Sequence, residues 1–154
     1  DAMILDTRKT IPGLRLAQKY AVHIGGAVNH RIGLFDAFLI KENHIHAAGS
    51  IDSAVSSARM IKPNTRIEVE VEDLAQLNEA IAAKPDWIML DNFNIDGLKT
   101  AYSLCRNTGI KLEASGGVED SEDVKSIAST GVDYISLGSL TKHCKAIDLS
   151  MRFD

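Results

Sequence analysis

The sequence predicts an α/β fold, a β/α barrel in which about six to seven parallel strands alternate with helices. Two observations carry this. Short apolar runs and helix-spaced stretches alternate along the 154 residues at intervals of about 25 residues, the pattern of right-handed βαβ units and a parallel sheet. The runs also end in polar residues: Asp6 to Lys9, Lys41, Asp91, Ser115 to Gly117 and Gly138 to His143. A barrel and an open doubly wound sheet both bind ligands at the carboxyl ends of their strands. Because several strands contribute to one mouth, the barrel is favoured over a sheet with a single switch point.

Taken in order, residues 3–6 read as a strand, and Pro12 opens a helix to about Tyr20, since proline is tolerated in a first turn. Residues 37–41 form the next strand, followed by a helix over 51–61 with Ser50 as N-cap. Residues 65–71 alternate strictly, with Ile67, Val69 and Val71 opposed to Glu68 and Glu70, and period two marks a strand. Leu74, Leu77, Ala80 and Ile81 return to helical spacing. A strand over 87–90 ends in Asp91, and a helix follows to about Asn107. Residues 111–114 form a fifth strand, Ser115-Gly116-Gly117 leads into a helix ending near Gly131, and 132–137 form a sixth. The tail, 147–153, alternates and is expected to add a last strand.

A chain that is 45% hydrophobic and 25% charged can bury one ordinary core, so residues 1–154 are expected to form one domain without a membrane span. Cys105 and Cys144 lack metal-ligand spacing, which points to a reducing, cytoplasmic setting. The chain opens on Asp1 and runs directly into an apolar segment, so it reads as a fragment. A net charge of -4 argues against nucleic acid. Its distribution points to a small anion: residues 1–41 hold Arg8, Lys9, Arg15, Lys19, Arg31 and Lys41 against Asp1, Asp6 and Asp36.

Each candidate residue also has a plain reading. His30 beside Arg31 suits a carboxylate, through a planar two-pronged donor and a shorter contact, but a lone loop histidine is more often structural. Glu68, Glu70 and Glu72 are either a solvated strand face or, in a barrel, inward-pointing groups able to reach a metal or ribose hydroxyls. Asp91-Asn92 can cap the next helix. Ser115-Gly116-Gly117 is a phosphate cradle or a plain turn, and His143 alone decides little. Together, cations at Arg8, His30, Arg31 and Lys41 suit a compact, multiply anionic substrate, while Glu70, Asp91 and the glycine turn suit a metal-bound sugar phosphate. That combination suggests phosphoribosyl transfer.

The motifs Asp6-Thr7-Arg8-Lys9-Thr10, Pro12-Gly13-Leu14-Arg15, Asn29-His30-Arg31, residues 39–44 (LIKENH), Glu68-Val69-Glu70, Leu90-Asp91-Asn92, Ser115-Gly116 and residues 131–141 resemble, in order and spacing, the quinolinate phosphoribosyltransferases. These are also called carboxylating nicotinate-nucleotide pyrophosphorylases. The resemblance implies the family's carboxyl-terminal, TIM-barrel-like domain, incomplete relative to eight strands, without the family's amino-terminal α/β domain. It implies that quinolinate and 5-phosphoribosyl 1-pyrophosphate, with Mg2+, give nicotinate mononucleotide, pyrophosphate and carbon dioxide in NAD synthesis. Thr7, Arg8, His30, Arg31 and Lys41 would then hold quinolinate. Lys9, Glu70, Asp91, Ser115, Gly116, Gly117, Gly138 and His143 would hold the phosphoribosyl donor. Lys9, Lys41, Glu70 and Asp91 would be catalytic, and Glu70 and Asp91 would serve the metal directly or indirectly. The family works as a homodimer or higher homo-oligomer in which the partner's amino-terminal domain completes the pocket, so this chain alone is expected to be inactive. One departure stands out. The loop reads His23-Ile24-Gly25-Gly26-Ala27, where the family commonly has a third glycine at Ala27 and often cysteine at Ile24. The alternatives are a related transferase with another anionic acceptor, or a non-catalytic phosphate-ligand-binding fragment.

Overall fold

The computed structural model describes residues 2–118, 120–144 and 146–153. Its strands are β1 (Met3–Leu5), β2 (Phe38–Ile40), β3 (Ile67–Val71), β4 (Trp87–Asp91), β5 (Lys111–Ser115) and β6 (Tyr134–Ser136). Its helices are α1 (Arg15–Ile24), α2 (Glu42–Ala48), α3 (Ile51–Ile61), α4 (Leu74–Ala83), α5 (Ile95–Cys105), α6 (Ser121–Ala128) and α7 (Ser139–Lys142). All six strands are parallel, in the order β1-β6-β5-β4-β3-β2. Val28 makes an isolated parallel bridge to Leu5 beyond β1, so the sheet is an unclosed barrel with its seam between Val28 and β2.

Alternation assigns the two faces. Ile67, Val69 and Val71 of β3, Ile88 and Leu90 of β4, Leu112 and Ala114 of β5 and Ile135 of β6 pack outward in one cluster with the helices. The helices answer at helical spacing: Ile51, Ala54, Val55 and Ala58 of α3, Leu77 and Ala80 of α4, Leu98 and Ala101 of α5. Inward, strand register aligns Glu68 with Trp87, Met89 with Glu113 and Asp91 with Ser115. A strand buried on both faces ordinarily reads as a continuous apolar run. Here every residue of β3 is buried, including Glu68 and Glu70, so the interior is polar.

Four boundaries differ from the sequence reading. First, α1 starts at Arg15 and not at Pro12, because Gly13 (φ +80°) turns the chain and the Gln18 side chain takes the Ile11 N–H. Second, α2 was not anticipated; it has no buried residue, hence no apolar stripe to read, and starts where His44 Nδ1 accepts from Lys41 N (3.0 Å). Third, β6 covers only Tyr134–Ser136. Finally, the tail strand does not form: residues 146–153 carry no strand, and Ile147, Leu149, Met151 and Phe153 are exposed, whereas a strand needs a partner to complete a ladder.

Ala27, where a third glycine was the family expectation, escapes strain. Gly26 takes the left-handed conformation (φ +92°), and Ala27 N donates to the Val22 carbonyl at 3.2 Å.

Candidate active site

The carboxyl ends of the strands open into two cavities with a shared wall. One, of about 350 Å³, is bounded by Thr7, Arg8, His30, Arg31, Lys41 and Glu70, with Glu113 below. The other, of about 580 Å³, is bounded by Asn92, Ser115 to Val118, Gly138, Lys142 and His143. Thr7, Lys9, Asp91, Ser115 and Ser136 line both. The residues read as acid-binding therefore gather in one lobe. Those read as phosphoribosyl-binding gather in the other, apart from Glu70.

In the first lobe the cations are under-compensated. Arg8 Nε is buried and without a partner. Arg31 makes one long bond, Nη1 to the Ala37 carbonyl at 3.3 Å. Burial and then the neighbouring Arg8 pull the Arg31 guanidinium below its usual value. Lys41, surfacing from β2, is ion-paired with Glu70 of β3.

In the second lobe, Asn92 follows Asp91 in a left-handed conformation (φ 57°). Its backbone N donates to the Ser115 carbonyl (2.8 Å), and its Nδ2 donates to Asp91 Oδ2 (2.9 Å). Gly116 (φ +88°) lies against it: a Cβ there would sit 2.2 Å from Asn92 Oδ1. Gly117 is also left-handed (φ +64°), and both glycines line this lobe. The helix dipole does not act on this turn as the sequence suggested. α6 starts only at Ser121, and Asp120 occupies its N-cap, accepting from Glu122 N and Asp123 N. Thr141 Oγ1 donates to the Lys9 carbonyl (2.7 Å), which ties the loop after β1 to α7 below Gly138. His143 stands exposed on the rim at the end of α7.

Two residues counted among the anion-site polar groups have another task. Asp6 and Lys19 are an ion pair, 0% and 3% exposed. Asp6 also accepts from His30 N (2.8 Å) and Asn29 Nδ2 (2.6 Å), while Lys19 donates to the His30 carbonyl (2.9 Å). The clip fastens the loop carrying His30 and Arg31 to β1 and α1.

His30 turns into the barrel, where Nε2 lies 2.8 Å from Glu68 and 3.2 Å from Glu113, both fully buried. The three ligand-type atoms lie within 4.8 Å of one another, close enough for a cation. Burial alone would lower the His30 pKa; Glu113 and Glu68 outweigh it and raise it to about 9. Glu113 is pushed up to about 7, by burial first and then by Glu68. Arg31 N lies 2.8 Å from Nδ1, so Nε2 is the edge of the ring turned to the two carboxylates. Both pKa values rise on folding, so both groups contribute stability that is complete at low pH and lost as pH rises. For His30 the window runs from its ordinary 6.5 to about 9. Unfolding free energy should therefore fall by on the order of 2 kcal/mol from about pH 6 to about pH 9. Urea titrations across that range check it, with His30→Gln flattening the slope.

Glu113 is the residue that sequence reading missed. Its strand reads Lys111-Leu112-Glu113-Ala114-Ser115, and the same period of two that turned Glu70 inward was its signal.

The sequence matches the family described as "Quinolinate phosphoribosyl transferase, C-terminal domain" over residues 1–152. It is 45% identical to a carboxylating nicotinate-nucleotide pyrophosphorylase of Mycobacterium leprae, covering 97% of this chain and 53% of that protein. It is 50% identical to a probable enzyme of the same name from Bacillus subtilis, over 96% of this chain and 51% of that one. The solved nicotinate-nucleotide pyrophosphorylase of Francisella tularensis superposes with TM-score 0.93 at 58% identity, covering 97% and 52%. A thiamine phosphate pyrophosphorylase from Pyrococcus furiosus, 17% identical with TM-score 0.62, shares the fold alone. The chain spans about half the length of the curated relatives it matches. It belongs to the quinolinate phosphoribosyltransferase family, matching that family's C-terminal domain.

Proposed function

We propose that this domain carries the catalytic centre for phosphoribosyl transfer from 5-phosphoribosyl 1-pyrophosphate to quinolinate, with decarboxylation to nicotinate mononucleotide. The observation that supports it most is the shared wall: a cationic lobe and a glycine-lined lobe meet at Lys9 and Asp91. Thr7, Arg8, Arg31 and Lys41 hold the two carboxylates of quinolinate, and His30 holds the Arg31 backbone beside them. Lys9, Ser115, Gly116, Gly117, Gly138 and His143 hold the phosphoribosyl donor together with Glu70 and Asp91.

The chemistry follows from placement. As the bond from the anomeric carbon to pyrophosphate breaks, positive charge develops on the ribose, and the carboxylates of Glu70 and Asp91 stabilise it. Lys9 neutralises the leaving oxygens. The quinolinate ring nitrogen then forms its bond to that carbon. Clamping both carboxylates aims the nitrogen, and positioning of this kind is worth up to roughly 7 to 11 kcal/mol. Breakage of the carbon–carbon bond to the adjacent carboxyl releases carbon dioxide and leaves its electron pair beside the cationic nitrogen, so the ring is its own electron sink. A proton completes the product.

The residues fit magnesium. Asp91 has one oxygen without a hydrogen-bond partner among the described residues, whereas Glu70 is already met by Lys41. Magnesium commonly takes one or two carboxylates and completes its shell with water and phosphate oxygens. Asp91 would hold it, with Glu70 acting directly or through the substrate, and when bound it adds charge neutralisation at the pyrophosphate.

Unpaired Cys105 and Cys144 support a cytoplasmic setting, and no helix among the described residues is long and apolar enough to cross a membrane. Exposed Leu16, Tyr20 and Ile24 on α1 support a homodimer or higher homo-oligomer of the full-length protein.

Two outcomes test this reading. Calorimetry on the full-length protein should give quinolinate at least tenfold tighter than nicotinate, which lacks one carboxylate; equal affinities would point instead to another anionic acceptor. Gly116→Ala should raise the KM for the phosphoribosyl donor more than tenfold and that for quinolinate less than threefold. Its Cβ displaces Asn92, and the left-handed backbone alone costs on the order of 1–3 kcal/mol. Unchanged donor KM contradicts the cradle.

A further inference from the structure

The barrel interior holds two carboxylates that the chemistry above does not use. Glu68 on β3 and Glu113 on β5 are fully buried, and His30 is the sole ion-pair partner of either among the described residues. Both oxygens of each, and His30 Nε2, have no aligned hydrogen-bond partner. Ionised groups in such a place are costly, and well-packed apolar side chains would usually serve stability as well or better. A chain that keeps them is using them for placement.

The contacts run in one direction. Nε2 of His30 is drawn between Glu68 and Glu113, and Nδ1 accepts the backbone N–H of Arg31 at 2.8 Å. Trp87 stands edge-on to the ring at 6.3 Å. Trp87 is itself clamped between Tyr134, stacked at 4.2 Å, and the Arg66 guanidinium at 4.1 Å. Swinging the ring away would cost its carboxylate contacts and free the backbone from which the Arg31 guanidinium projects beside Arg8.

We propose that Glu68 and Glu113 are positioning residues of the acid-binding lobe: through His30 they fix the ring and the Arg31 backbone, and so set quinolinate binding without touching it. This rests on the quinolinate reading of that lobe. The double variant Glu68→Gln/Glu113→Gln keeps shape but replaces two charge-assisted contacts with neutral ones, about half as strong. In the full-length protein it should raise the quinolinate KM at least tenfold and leave the phosphoribosyl donor KM within twofold. Glu113→Met should likewise raise the quinolinate KM while leaving the phosphoribosyl donor KM within twofold. Equal shifts in both KM values, or none in the double variant, overturn the proposal; if Glu113→Met does not fold, the double variant decides. If Arg31→Ala weakens quinolinate and the double variant does not, only this inference fails. If the wild-type protein does not bind quinolinate, the underlying reading fails.

Discussion

Lys19→Ala is expected to cost about 3–5 kcal/mol of folding stability, the usual loss when one partner of a buried ion pair is removed. Asp6 would be left fully buried with only the His30 N–H and the Asn29 amide to meet its charge, and the His30 carbonyl would lose its donor. The damage is not confined to a helix surface, because the clip holds residues 28–31 against β1. Stability by urea denaturation and the affinity of the acid-binding lobe should therefore fall together. A loss under about 1 kcal/mol would mean that the pair is incidental.

Arg31→Ala carries the largest expected functional effect. The guanidinium spends its donors on a single 3.3 Å contact to the Ala37 carbonyl and stands beside Arg8, whose buried Nε has no hydrogen-bond partner among the described residues. A charged hydrogen bond is worth about 1.5–3 kcal/mol, and a bidentate grip on a carboxylate is stronger still. Quinolinate affinity should fall by about 12- to 140-fold, at the standard conversion of 1.4 kcal/mol per tenfold. The phosphoribosyl donor, in the other lobe, should change less than threefold. Equal weakening of both ligands would contradict the division into two lobes.

Much of this arrangement was legible because periodicity and strand ends are local signals. The alternation from Ile67 to Val71 marked a strand but left Glu68 and Glu70 either solvated or inward, and the fold buries them; Lys41 and Asp91 stood where apolar runs stopped. Pairings between distant segments were not legible. Lys19 looked like one more cation near an anion site, and only the packing of α1 on β1 turns it toward Asp6. His30, read as a direct carboxylate contact, has Nε2 turned to Glu68 and Glu113 and Nδ1 to Arg31 N, an orientation set by strands far along the chain. The helix at Glu42–Ala48 was hidden because it buries nothing, and the alternating tail was misleading because a strand needs an edge to pair with.

The central claim is that both lobes act on one reaction. It is tested most directly by supplying the full-length protein with quinolinate labelled at the 2-carboxyl carbon, phosphoribosyl pyrophosphate and magnesium, and counting labelled carbon dioxide against nicotinate mononucleotide. The account predicts equal amounts of the two, and neither when quinolinate or the donor is omitted. Binding of both ligands with no mononucleotide formed would contradict it.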